Sequence, residues 1–348
     1  MMRDLGELLG IERPIVLGPF GGLSSIELTA AVSERGGLGS YGLYGYDPER
    51  IRQMASALRA VTDRPFALNL WLAHDEVEQV SSADFDRSAQ ALRPFFDELG
   101  LEVPERPDRY LPSFEAQFDA VLEARPAVVS FVFGVPSRAV VDAAHERGIV
   151  VVGTATSVDE AVALERGGVD AVVATGAEAG GHRVSFLRPA EESLVGTVAL
   201  VPQVADAVTL PVIAAGGIAD RRGVAAAFAL GASGVQVGTA FLRTEQSATT
   251  DAHRRAITQA PAHGTVLTRA MSGRLARGIP NRAVRTIEGG GVVAPFPVQN
   301  WLTGRFRAEA VRRGVGELQS LWAGQAAALS RESDADAVFD ELAAGLPA

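Results

Sequence analysis

From residue 14 onward, short apolar runs rich in Val, Ile and Gly alternate with longer stretches whose apolar positions recur at helical spacing. Repeated strand–helix units around a parallel sheet produce this pattern. The runs fall at residues 14–18, 37–41, 65–70, 127–131, 149–153, 170–174, 211–215 and 234–238. Each is apolar at nearly every position, as a strand is when helices cover one face and a barrel interior covers the other. Eight such units favour closure over an open sheet, so the expected fold is α/β, a (β/α)8 TIM barrel.

Between the fifth and sixth runs, residues 157–166 read as a helix. Ser157 stands at the N-cap, Glu160 follows at capping-box spacing, and Gly167-Gly168 ends the helix. The connection over residues 73–125 is longer than an ordinary unit needs and rich in Asp, Glu and Pro, so it is expected to be an elaborated surface crossover. After the eighth run, residues 248–316 lose the strand–helix rhythm and contain Gly289-Gly290-Gly291, Pro295 and Pro297. They are expected to form a small cap over the catalytic mouth, inserted into a barrel made of residues 1–247 and 317–348.

Composition narrows the chemistry. The chain has 348 residues, 47% of them hydrophobic, enough for one large core. Its net charge is -10 and no basic stripe appears, so a nucleic-acid partner is not expected. The first ten residues carry Asp4 and Glu7, and no stretch reaches about 18 uninterrupted apolar residues. The expectation is therefore a cytoplasmic protein with no membrane span. All 32 cationic side chains are Arg, and Lys and Cys are both absent. Without Cys there is no thiolate nucleophile and no cysteine-held cluster or zinc; without Lys there is no Schiff base. No metal site is expected.

In a barrel of this kind the active site lies at the C-terminal ends of the strands, and phosphate is commonly held by the loops after the seventh and eighth. Those loops here are Gly216-Gly217-Ile218 and Gln236-Val237-Gly238-Thr239. Tight-turn packing would account for a lone Gly-Gly, whereas glycine-bearing loops on two adjacent strands point to an anion approached by bare backbone N–H groups. After the sixth strand, the run from Thr175 to Gly180, Gly181 and His182 puts one imidazole on a glycine-rich loop above the mouth. Such a group exchanges a proton near neutral pH. His74, His145, His253 and His263 lack that setting and read as surface or packing residues.

The segments 176–182, 200–203, 211–218 and 234–239 resemble those of the nitronate monooxygenases, formerly called 2-nitropropane dioxygenases. Pro19, Asn69 and the segments 130–134, 153–156 and 322–325 extend the resemblance to nearly the whole chain. It implies an FMN-dependent enzyme in which Gly216, Gly217, Gly238 and Thr239 hold the phosphate, with Gln236 and Val237 beside it. Gly18, Pro19 and Phe20 would pass near the flavin ring, Asn69 would bond its polar edge, and Gly180 and Gly181 would lie close by. His182 would face the substrate, either removing the α-proton of a nitroalkane or, protonated, steadying the oxygens of a nitronate. O2 then reacts, and a carbonyl compound and nitrite leave.

Two positions depart from the pattern. Thr175 stands where many relatives place Gln or Asp, and Thr154 where some carry a Lys. NAD(P)H-dependent quinone and enoyl-thioester reductases share the Glu178 to His182 loop motif, so a reductase remains the alternative, ahead of a non-catalytic FMN carrier. Trp322 reads as core at least as readily as a pocket wall. Pairing into a homodimer through the barrel helices is left open.

Overall fold

The computed structural model describes residues 4–72 and 80–347. His74 lies outside the described residues. The strands, in chain order, are β1 (Ile15–Leu17), β2 (Gly39–Gly42), β3 (Phe66–Trp71), β4 (Val128–Val132), β5 (Val150–Ala155), β6 (Ala171–Thr175), β7 (Gly181–His182), β8 (Val212–Ala215), β9 (Gly234–Val237), β10 (Val266–Thr268) and β11 (Ala276–Gly278). Eight of them form one parallel sheet in the order β1-β9-β8-β6-β5-β4-β3-β2. Leu17 N–H donates to Leu38 O and Leu38 N–H to Ile15 O, both at 2.9 Å, which joins the two ends of the sheet. The expected (β/α)8 barrel is the observed fold, and every expected strand is present.

Strand side chains alternate between two faces, and the two faces of this barrel hold different clusters. Val129, Phe131, Val172, Ala174, Val212, Ala214, Val235 and Val237 pack outward against the helices. Their neighbours Val16, Ala67, Val128, Val152, Ala171, Val173, Ile213 and Ala215 fill the interior, where Leu5, Leu9 and Ile11 join them. Leu5 and Leu9 come from the short helix Leu5–Leu9, which Asp4 caps through the Glu7 N–H. Continuing the inward parity to the C-terminal ends of the strands gives Asn69, Ser130, Thr154, Thr175 and Gln236. The interior is therefore apolar below and polar only in its last layer.

The helix expected at residues 157–166 is Val158–Gly167 with Ser157 at its N-cap, ended by Gly168 in the left-handed region. Only half of the capping box forms. Ser157 Oγ accepts the Glu160 N–H, but the fully buried Glu160 carboxylate accepts from Thr156 N and Oγ1 and from the N–H groups of Phe186 and Leu187. It ties the end of β5 to the loop after β7.

Two chain segments meet above the barrel. The helix Ser82–Glu98 of the long crossover packs on Arg282–Gly290 and Val298–Arg312, where Phe85, Leu92, Phe95 and Phe96 meet Ile287, Leu302 and Phe306. The rings of Phe95 and Phe306 stack with centroids 5.1 Å apart. β10, β11 and β7 form a small antiparallel sheet that pairs Ala276 with His182 and Arg277 with Gly181. No helix among the described residues is long and apolar enough to cross a membrane.

Phe306 has no exposed surface and touches the crossover helix through two aromatic neighbours. Phe306→Ala is expected to cost ~3–5 kcal/mol in urea denaturation, the usual range for a fully buried phenylalanine. A loss under about 1 kcal/mol would show that this cluster does not hold the covering layer on the barrel.

Candidate active site

The polar last layer of the barrel forms the floor of a cavity of about 370 Å3 at the C-terminal ends of the strands. Its size lies within the ~300–1,000 Å3 range of small-molecule and cofactor sites. Gly18, Pro19 and Phe20 line it from the first loop, and Asn69, Thr154, Thr175 and Gln236 line it from strand ends. Gly180, Gly181, His182, Gly216, Gly217, Gly238 and Thr239 complete the expected lining. Val237 is the exception. By strand parity it points outward from β9 into the helix-facing cluster, and it is 1% exposed.

Gly216 and Gly217 follow β8 with φ of 104° and 74°, a region that side-chain-bearing residues rarely adopt. Thr239 Oγ1 accepts the Gly324 N–H at 2.9 Å, so its own proton is uncommitted. Both amide contacts of Asn69 donate to Ser130, to its carbonyl at 3.1 Å and its hydroxyl at 3.0 Å, leaving Asn69 Oδ1 as an acceptor.

The loop bearing His182 is fixed from several sides. Glu178 accepts from Thr197 N and Oγ1 at 2.9 Å, pinning the loop to the start of the helix Thr197–Ala207. The buried Arg183 donates to Thr175 O, Gly176 O and Ser193 O. A Cβ at Gly180 would come within 2.6 Å of the Ala323 and Gly324 backbone, so only glycine lets the segment beginning at Trp322 lie against the loop.

His182 Nε2 lies 2.8 Å from Ser272 Oγ. The Ser272 hydroxyl donates to Arg274 O, which can only accept, and receives the Arg274 N–H. With the hydroxyl proton on Arg274 O, the Ser272 oxygen accepts from the imidazole, the arrangement in which the histidine proton sits on Nε2 and the lone pair on Nδ1. Burial, reinforced by the charges of Arg274 and Arg307, pushes this imidazole down to about 3. An imidazole held this low carries no charge near neutral pH, the state in which it can take up a proton, and the positive charge here belongs to the two guanidinium groups. Desolvation lowers Arg307 only to about 10, so it stays charged.

Aromatic rings complete the wall. The Trp71 ring centroid lies 5.1 Å from that of His182 and 4.4 Å from that of Tyr44, and the Trp322 ring lies 5.4 Å from the imidazole. Arg274 sits over Phe133 and Phe296 at 4.0 and 4.1 Å, as cations do against ring faces. Trp322 lines the cavity, and sequence reading missed Tyr44, Trp71, Asn300 and Arg307 there, together with Ser272 and Arg274 against His182. The other described histidines stand apart from this group. His145 pairs with Asp170 near the surface, His253 Nε2 donates to Trp322 O while 2% exposed, and His263 is exposed.

A barrel with a deep, polar-floored cavity at this end has the architecture of barrel enzymes. The family model described as nitronate monooxygenase matches residues 3–345. A probable nitronate monooxygenase of Staphylococcus aureus (strain MSSA476) is 38% identical over 340 residues, covering 97% of this chain and 95% of the relative. The solved nitroalkane oxidase from Streptomyces ansochromogenes superposes with a TM-score of 0.87 at 36% identity, covering 98% and 97% of the two chains. FabK from Thermotoga maritima gives a TM-score of 0.75 at 31% identity, covering 98% and 95%. The chain belongs to the nitronate monooxygenase family, and it is an oxidoreductase.

An unfolded chain takes up a proton on each imidazole near 6.5, whereas folded His182 and His253 stay neutral down to about 3 and about 4. Between those values the unfolded state binds more protons, so stability rises with pH across the window and is lost on acidification. The melting temperature is expected to fall between about pH 7 and about pH 5, and to fall less in His182→Asn. Identical pH slopes for the two proteins would show that His182 titrates normally in the fold.

Proposed function

We propose that this protein binds FMN in the cavity and oxidises alkyl nitronates or nitroalkanes with O2, releasing a carbonyl compound and nitrite. The observation that carries the reading is a buried imidazole bonded to Ser272 and close to two guanidinium groups, above a polar barrel floor. The residues present fit the cofactor. The left-handed Gly216 and Gly217, with Gly238 and the free Thr239 proton, suit a phosphate. Asn69 Oδ1 suits an N–H on the ring's polar edge. With Gly18, Pro19, Phe20, Thr154, Thr175, Gly180, Gly181 and Gln236 they would hold FMN, and Val237 would act only by packing β9 behind it.

When bound, FMN supplies the electron acceptor and the reaction with O2. The chain's part is orientation, charge and one proton. Arg307 on the cavity wall, helped by the field of Arg274 beside it, meets the negative charge of a nitronate, which needs no proton removed. For a neutral nitroalkane, Nδ1 of His182 accepts the α-proton, and the negative charge that develops on the nitro group raises the imidazole's affinity for that proton. Tyr44, Trp71 and Trp322 on the cavity wall, with Phe133 and Phe296 packed against Trp71, exclude water and take the alkyl part.

The purified protein is expected to show flavin bands that propyl-2-nitronate bleaches without air while NADPH leaves them unchanged. Bleaching by NADPH alone would move the assignment to a reductase. His182→Ala should keep its flavin and turn over neutral nitroalkane ~10²–10⁴-fold more slowly, the usual worth of a general base. Full activity in that variant removes His182 from the reaction.

A further inference from the structure

Tyr44, in the loop after β2, lines the cavity but belongs to no motif. Its hydroxyl accepts from Asn300 Nδ2 at 2.8 Å, and Asn300 Oδ1 accepts from the Arg307 guanidinium at 2.7 Å. The direction of this chain follows from chemistry. A guanidinium only donates, so the amide must turn its oxygen to Arg307 and its nitrogen to Tyr44. That nitrogen in turn only donates, so Tyr44 Oη must accept and its own proton must point elsewhere.

Arg307 is locked in place for this task. It also donates to Ser320 Oγ at 2.6 Å and to Asn300 O at 3.1 Å. Asn300 and Arg307 stand seven residues apart on the helix Val298–Arg312, hence on one face. Tyr44, Asn300, Arg307 and His182 all line the one cavity, so the hydroxyl bonded to Asn300 lies at the wall that His182 shares. Burial pushes the phenol up to about 12, so it keeps its proton across the working range.

We propose that Tyr44 is a substrate-binding donor, its phenolic proton turned into the cavity by the Arg307–Asn300 chain to bond one oxygen of the bound anion. This rests on the reading of the site as one for nitronates, and it adds a neutral donor to the two cations. Such a donor selects a planar, two-oxygen head group over a spherical anion, because it adds a direction to the attraction.

The test is calorimetric binding of propionate to the flavin-loaded protein, since propionate has the planar two-oxygen head and chain length of ethyl nitronate but cannot be oxidised the same way. Tyr44→Phe keeps the ring against Trp71 and Phe296 and should weaken propionate roughly ten- to hundredfold, the range for a hydrogen bond to a charged group. Asn300→Leu removes the donor that holds the phenolic oxygen without adding a charge to the cavity, and should weaken propionate as well. If it acts through Tyr44, it should have little further effect in the Tyr44→Phe background.

Unchanged affinity in Tyr44→Phe, full additivity in the double variant, or no propionate binding by the unaltered protein overturns the proposal. The two readings fail separately. Propionate binding that depends on Tyr44 in a protein that oxidises no nitronate would support the donor and overturn the reaction. Nitronate oxidation with Tyr44-independent propionate binding would do the reverse.

Discussion

Closure of the barrel is the constraint from which the site follows. Once β1 and β2 are joined through Leu17, Leu38 and Ile15, each strand has one inward and one outward face, and a slip of one residue would exchange them. With the register observed, β6 turns Ala171, Val173 and Thr175 inward and Val172 and Ala174 outward. The interior is then solid below, where Leu5 and Leu9 close it, and polar only where Asn69, Ser130, Thr154, Thr175 and Gln236 end their strands. Buried polar groups are costly unless bonded, so this layer is found where a ligand or a neighbouring side chain can meet it.

Charge is the second constraint, and it comes from above the barrel. Arg274 and Arg307 raise the potential around His182, and burial removes the water that would otherwise share its proton. The same two cations leave Tyr44 protonated because its own desolvation outweighs them. The result is an electropositive mouth without a charged imidazole. In the proposed reaction a base kept neutral in this way is available to a carbon acid, and the cations receive the charge that the acid leaves behind.

Much of this was legible in the sequence because it is local. Strands buried on both faces announce themselves as apolar runs, and glycines at strand ends mark backbone approach at Gly216, Gly217 and Gly238. His182 stood out by its position after two glycines. The family resemblance implies Val237 beside the phosphate, yet the two-residue period of β9 turns its side chain to the helices and that of Gln236 to the cavity. Glu160 had capping-box spacing, but complete burial drew its carboxylate to Thr156 and to the loop at Phe186. Tyr44 and Asn300 could not be paired from the sequence, being 256 residues apart. Arg274 and Arg307 were hidden among 32 arginines, most of which had no reason to differ on the page. Ser272 had no signal at all, because its role depends on β11 pairing with β7.

The proposed reaction requires His182 to be a neutral imidazole carrying its proton on Nε2, with Nδ1 free for the substrate. Nitrogen-15 NMR of histidine-labelled protein, assigned with His182→Asn, reads both charge and tautomer directly. The account predicts one resonance pair of the Nε2–H neutral form that does not shift across the range from neutral pH to mildly acidic. A His182 signal that titrates near the ordinary histidine value, or one that reports the Nδ1–H tautomer, would contradict it.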